Sequence, residues 1–262
     1  MDFSALEKQG YIQLDFDRRE HLSALQSLTE SLFPCPPLLW HKQPDVSAEK
    51  HVEQVKKVLD KVLESKLVNK LIEDNTSVFT GILGPDFDLQ VAPHLRVTRP
   101  EVEGDMVDWH RDSFYGSTPW ELNVWFPIFP LHEGAGLRIL PGSNAMPSKN
   151  VREATESDNF RKTVQKGSSA HQIGFVYAPK TDDTLAAMKT VDTVLLAPPA
   201  GSFILFFGCC IHRAQNRSEF TRISVDTRLK NSFAPTNTRP GYYQPVSSGV
   251  VSRVVRRFQE GC

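Results

Sequence analysis

Three short stretches of this chain carry side chains that bind metals or grip anions. "VDWHRDSFYG", residues 107–116, sets His110 and Asp112 two apart; "CCIHRAQNRS" contributes His212; "RISVDTRL" opens with Arg222 and continues to Ser224. Imidazole nitrogen and carboxylate oxygen suit divalent transition metals, and a guanidinium fork beside a hydroxyl suits a carboxylate. A His-x-acid pair alone means little: with 8 histidines and 31 acidic residues in 262, chance supplies roughly one match. The sequence holds two. His51-Val52-Glu53 falls in a segment of helical period, where residues two apart project to nearly opposite sides, so it reads as a surface accident. His110 and Asp112 fall in a β-rich region, where side chains two apart share a strand face and Arg111 takes the other.

Each of these residues has an ordinary reading taken singly: a histidine hydrogen-bonding a neighbouring acid, a turn histidine after a core strand, a solvated strand arginine. Together they make a different pattern. Two histidines and one carboxylate on one side of an iron leave three positions open, as in non-haem Fe(II) oxygenases, enough for a bidentate 2-oxo acid and dioxygen. Arg222 and Ser224 share a strand face ten residues beyond His212 and would grip the far carboxylate of that acid. Arg96 and Arg99 in "APHLRVTRP" are candidates to reach the cosubstrate or an anionic substrate, and Asn123 in "ELNVWF" to donate to the 2-oxo acid. Tyr115 and Trp120 are candidate pocket walls, against the alternative that these aromatics simply fill the core. Two other functions fit the same residues. One is a cupin-like isomerase or hydrolase that uses the metal without a 2-oxo acid; the other is a jelly-roll binding module whose metal is structural or missing.

The elements that must position these groups differ between the two ends of the chain. In "DRREHLSALQSLTESLF", Leu22, Leu25, Leu28 and Leu32 recur on one helical face, and Asp17 with Glu20 has the spacing of a capping box. "SAEKHVEQVKKVLDKVLESKLVNKLIEDN" repeats Val52, Val55, Leu59, Val62 and Leu63, with charged residues opposite. From about residue 78 the chain turns to short β-rich runs separated by Pro and Gly, among them an apolar run from Ser202 to Cys210 that ends at His212. Helices first and many short strands afterwards predict a mainly β protein with flanking helices, a jelly roll in preference to an alternating α/β chain. The expected organisation is one domain over 1–262. Residues 1–77 form a helical buttress, 78–235 the core with a polar insertion at about 145–190, and 236–262 a C-terminal extension. An insertion of that length is either a lid or a surface loop.

Bulk properties narrow the partners. Thirty basic and thirty-one acidic residues nearly cancel, so no global field favours nucleic acid or an anionic membrane, and a small molecule is the expected partner. No apolar run approaches a bilayer span. The start lacks the pattern of a secretory or transit leader, and the cysteines at 35, 209, 210 and 262 have no C-x-x-C spacing. Both observations predict a cytoplasmic protein with reduced thiols.

His110-x-Asp112, His212 and Arg222-x-Ser224 resemble the ligand set of the Fe(II)/2-oxoglutarate-dependent dioxygenases. The opening "LEKQGYIQLD", "GAGLRILPGSN" and "APPAGSFILFFGCCIHRAQNRS" are most similar to the phytanoyl-CoA dioxygenase-like branch. The resemblance covers roughly residues 5–230 and departs where Asn144 follows Pro-Gly-Ser in place of a histidine. It implies a double-stranded β-helix core of cupin type. It also implies Fe(II), 2-oxoglutarate and dioxygen as cofactors, with succinate and carbon dioxide released as a small molecule is oxidised. The presence of Asp112, where a Gly or Ala would open a position for halide, implies hydroxylation or a related oxidation instead of halogenation.

Overall fold

The structure, a computed structural model, describes residues 3–115, 118–146, 192–236, 238 and 240–260, with Phe114 and Tyr115 described only in their backbone. The N-terminal third holds helices α1 (Ser4–Gln9), α2 (Glu20–Leu32), α3 (Ala48–Ser65), α4 (Leu67–Asp74) and α5 (Thr76–Leu83), with strand β1 (Tyr11–Asp15) after the first. Then come β2 (Phe87–Gln90), β3 (His94–Thr98), β4 (Leu122–Pro127), β5 (Ala135–Ile139), β6 (Val194–Leu196), β7 (Ser202–Phe207), β8 (His212–Asn216), β9 (Arg222–Asn231) and β10 (Tyr243–Ser247). Helix α6 (Val250–Glu260) follows.

These strands form two antiparallel sheets. The larger runs β1-β7-β4-β9-β2-β10, with β3 also paired to β9, and the smaller runs β6-β5-β8. Two sheets facing each other with helices behind the larger one is the expected jelly-roll architecture, and its reason lies in strand alternation. On β4, Leu122, Val124 and Phe126 face the helices, where they join Leu25, Val58, Ile72 and Phe79 in the main core; Trp125 faces the small sheet with Leu137, Ile139 and Phe206. On β9, Ile223, Val225 and Leu229 belong to the helix side, so Arg222, Ser224, Asp226 and Arg228 line the space between the sheets. A largely buried strand with every second residue polar marks the interior as a site.

The helices correct three expectations. Helix α2 begins at Glu20 with Arg19 as N-cap and no side-chain capping bond, so Asp17 and Glu20 form no capping box. The second periodic segment breaks at Lys66, whose left-handed φ of 55° ends α3 and starts α4. The apolar stripe of α3 holds at Val55, Leu59 and Val62 but begins at His51 instead of Val52. Val52 is 65% exposed, whereas His51, Val58 and Val62 are buried. His51 is therefore no surface accident. Trp40 Nε1 donates to its Nδ1 at 3.0 Å and its Nε2 lies 3.1 Å from the Val97 carbonyl, so the ring pins α3 to β3. Finally, part of the expected C-terminal extension, β10, is an edge strand of the large sheet paired with β2. The anticipated insertion lies outside the described residues from 147 to 191.

Candidate metal centre

His110 and His212 meet through their backbones. His110 N–H donates to the His212 carbonyl at 3.0 Å, and His212 N–H returns the bond to His110 at 2.9 Å, an isolated antiparallel bridge. Directly opposed residues project to the same side, and the two rings lie with centroids 4.3 Å apart. His110 therefore stands on a one-residue bridge, and the strand expected through Asp112 does not form. Asp112 instead opens a 3-10 turn, its N–H donating to the Gly208 carbonyl at 2.8 Å. That turn swings Oδ1 back to 3.3 Å from His110 Nε2 and 3.9 Å from His212 Nε2. The expected strand from Ser202 to Cys210 likewise stops at Phe207, and His212 starts β8 after a tight turn.

All three ligand atoms lie within 4.8 Å of one another, and all three residues are buried. Ligand bonds of ~2.1 Å at right angles place neighbouring donor atoms ~3 Å apart, so modest contraction closes this set on one ion. The imidazoles are oriented for it. His110 Nδ1 lies 2.6 Å from the Asp108 carbonyl and His212 Nδ1 3.0 Å from the Cys210 carbonyl. A carbonyl only accepts, so each Nδ1 carries the proton and each Nε2 presents its lone pair toward Asp112. Two lone pairs and a carboxylate oxygen converging in one buried space call for a cation.

The other carboxylate oxygen is clamped. Asn123 Nδ2 donates to Asp112 Oδ2 at 2.5 Å and Arg228 Nη2 at 3.0 Å. Burial works to raise the Asp112 carboxyl, but Arg228, followed by the two histidines, outweighs it and holds the group well below the usual carboxylate range. Burial, and then His110, pushes His212 down to about 4, so it is neutral and available as a ligand at physiological pH.

A second polar cluster sits at the start of β9. Arg222 Nη1 donates to the Gly136 carbonyl at 2.7 Å and Nε to Thr98 Oγ1 at 3.0 Å, and its guanidinium lies over Trp125 at 5.6 Å. Both acceptors are neutral. Burial, and then the Arg96 cation, presses Arg222 below its ordinary value to about 9. Its Nη2 and the nearby Ser224 Oγ are buried with no hydrogen-bond partner. An undercompensated buried cation with an idle N–H beside an idle hydroxyl fits the missing carboxylate of a bound diacid.

The sequence pattern that defines the phytanoyl-CoA dioxygenase family matches residues 40–224, well over half of the chain. The chain belongs to the phytanoyl-CoA dioxygenase family. As a member it is an enzyme of the non-haem iron, 2-oxoglutarate-dependent class, and the residues above fit that cofactor pair. Solved structures agree on the fold. A non-haem monooxygenase, ThoJ, in its nickel complex superposes with a TM-score of 0.57 at 11% identity, covering 95% of this chain and 84% of that one. A non-haem, alpha-ketoglutarate-dependent carbocyclase, SnoK, from nogalamycin biosynthesis gives 0.55 at 13%, covering 94% and 97%. No curated protein sequence matches the chain.

Within this phytanoyl-CoA dioxygenase family member, the remaining anticipated residues divide. Arg96 lies on the inner face opposite Ser224, its Nη2 3.9 Å from Asp226 Oδ2. Asn123 serves Asp112 instead of pointing its amide at a 2-oxo acid. Arg99 is turned away from the centre: its backbone N–H, Nε and Nη2 all bind Asp105, at 2.9, 2.7 and 2.8 Å, which ties down the loop leading to His110. Trp120, 61% exposed on a surface turn, walls no pocket among the described residues. The Tyr115 side chain lies outside the described residues. Sequence reasoning missed Arg228 and Asp226. The signal was present, because the two-residue alternation that pairs Arg222 with Ser224 continues to both.

Proposed function

We propose that the chain is an Fe(II)/2-oxoglutarate-dependent oxygenase that hydroxylates or otherwise oxidises a small-molecule metabolite or natural-product intermediate. In this reading His110, Asp112 and His212 hold the iron, and Arg222 with Ser224 receives the distal carboxylate of 2-oxoglutarate, Arg96 flanking it. Bound iron supplies activation of dioxygen, coupled to oxidative decarboxylation of 2-oxoglutarate to succinate and carbon dioxide. The chain's own residues do the positioning. The Asp108 and Cys210 carbonyls fix both imidazole tautomers, and Asn123 and Arg228 hold Asp112 Oδ2 and keep the carboxylate ionised, leaving Oδ1 toward the two imidazoles. The enclosing sheets keep bulk water from the reacting centre.

The observation that carries this reading is the pair of idle donors, Arg222 Nη2 and Ser224 Oγ, buried on the strand that also supplies the clamp on Asp112. An isomerase or hydrolase using the same metal would give Arg222 no task. The free thiols Cys35, Cys209 and Cys210 accord with a cytoplasmic setting. The test is spectroscopic. Anaerobic Fe(II) with 2-oxoglutarate should produce a weak visible charge-transfer band that His110→Ala abolishes; a band unchanged by that substitution refutes the ligand assignment.

A further inference from the structure

The inner face of β9 presents five polar side chains, and four have tasks. Arg222 and Ser224 face the diacid, Arg228 holds Asp112, and Lys230 Nζ donates to Asp88 at 2.9 Å. Asp226 remains. Among the described residues it accepts no hydrogen bond: Oδ1 is buried without a partner, and Oδ2 lies 3.9 Å from Arg96 Nη2, beyond hydrogen-bond reach. Register places it directly across from His94 on β3 and Trp125 on β4, so all three share the space between the sheets. Burial raises its carboxyl above the ordinary carboxylate value, the Arg228 cation opposes that rise, and Asp112 adds to it.

A second acceptor lies nearby in the same condition. Gln90, at the end of β2, uses its Nε2 toward His94 Nε2 at 3.2 Å and the Ala92 carbonyl at 2.8 Å, and its Oε1 is buried without a donor. Leu89 pairs with Leu229 on the helix side, so Gln90 faces inward with Asp226. A carboxylate oxygen and an amide oxygen left without donors between the sheets are costly unless something that enters supplies them. An apolar wall would serve a hydrocarbon chain; this one does not.

We propose that Asp226, with Gln90 beside it, is the substrate-recognition subsite of the oxygenase, and that it takes N–H or O–H donors from a small polar molecule, an amine or an alcohol. The inference rests on the oxygenase reading for the place of the substrate relative to the metal. It assigns specificity to a residue outside both the ligand set and the 2-oxoglutarate site. A long branched acyl chain has no donors for these oxygens and is excluded as the group that enters here.

Three probes of equal length test this: pentylamine, 1-pentanol and pentanoate, titrated calorimetrically into protein loaded anaerobically with Fe(II) and 2-oxoglutarate. The amine or the alcohol should bind at least about tenfold more tightly than pentanoate. Asp226→Asn, which keeps the shape and removes the charge, should weaken the amine by about tenfold or more and the alcohol by less. Preference for the amine identifies an ammonium as the partner; preference for the alcohol identifies a hydroxyl. Equal or tighter binding of pentanoate, no binding of either donor, or an Asn variant that leaves amine and alcohol binding unchanged overturns the proposal. The wild-type comparison decides the matter even if the variant folds poorly. The charge-transfer band of the same sample reads the metal and cosubstrate separately. A missing band sinks the oxygenase reading, whereas a normal band with no donor preference sinks only the role of Asp226.

Discussion

Replacing Arg222 by methionine separates its burden on the fold from its use in binding. The guanidinium is buried, hydrogen-bonds only neutral oxygens, and leaves Nη2 idle. Removing it frees the fold of an undercompensated charge and loses two hydrogen bonds worth ~1 kcal/mol each to neutral partners, so the ligand-free protein should change stability by no more than about 2 kcal/mol. Binding of 2-oxoglutarate should suffer far more. A carboxylate that meets Nη2 and Ser224 Oγ gains charge-assisted bonds, and removing one partner of a buried charged pair costs ~3–5 kcal/mol, which is a loss of about a hundredfold to a few thousandfold in affinity. Arg222→Lys keeps the charge but not the fork and should fall between. Calorimetric titration of 2-oxoglutarate into the anaerobic iron form reads affinity, and urea unfolding of the ligand-free form reads stability. A methionine variant that binds 2-oxoglutarate within about threefold of wild type would falsify the assignment of Arg222.

Four further outcomes follow from the geometry. Arg228→Met and Asn123→Ala each release one hold on Asp112 Oδ2 and should weaken metal binding by about 10–100-fold, measured by competition with a chelator; unchanged affinity would show the clamp to be idle. Phe126→Ala empties a fully buried position on the helix side of β4 and should cost ~3–5 kcal/mol in urea unfolding. On α3, Val52→Lys should stay within about 0.5 kcal/mol of wild type, whereas Ile72→Ala on α4 should cost ~2–5 kcal/mol; reversal of that order would contradict the observed faces. Burial lowers His51 and His94 below the ordinary histidine value of 6.5. A base lowered in the folded state binds fewer protons there than when unfolded, so the metal-free protein should lose stability as pH falls below about 6.5, with a lower urea midpoint at pH 5 than at pH 7.5. A midpoint that rises on acidification would contradict the buried neutral rings.

Much of the site was readable because metal and carboxylate chemistry restricts residue types. His110, Asp112, His212, Arg222 and Ser224 all reach the inner space, and the jelly roll follows from helices preceding many short strands. The failures have physical causes too. Pattern alone put Asp112 on a strand, whereas a backbone bond to Gly208, distant in sequence, curls it into a turn. Period-3.6 reasoning favoured Val52 over His51, because a histidine buried by one indole and one carbonyl looks polar until its partners are known. Arg99 and Arg96 are three apart in one sequence motif, and only the position of Asp105 separates a loop clasp from an inner-face cation. The alternation of β9 put Arg228 on the inner face, but its task was not legible, since its partner Asp112 comes from another element more than a hundred residues earlier.

The reciprocal bond between residues 110 and 212 closes a segment of about a hundred residues, and an unfolded chain resists such closure for entropic reasons. The two imidazoles can meet only once this bridge, long-range in sequence, has formed at the start of β8, so the cage for the ion depends on a contact that local structure alone does not supply. Tight capture of a divalent ion would then report that the bridge is in place, and a chelator added during refolding should leave early collapse untouched while lowering the stability of the final state.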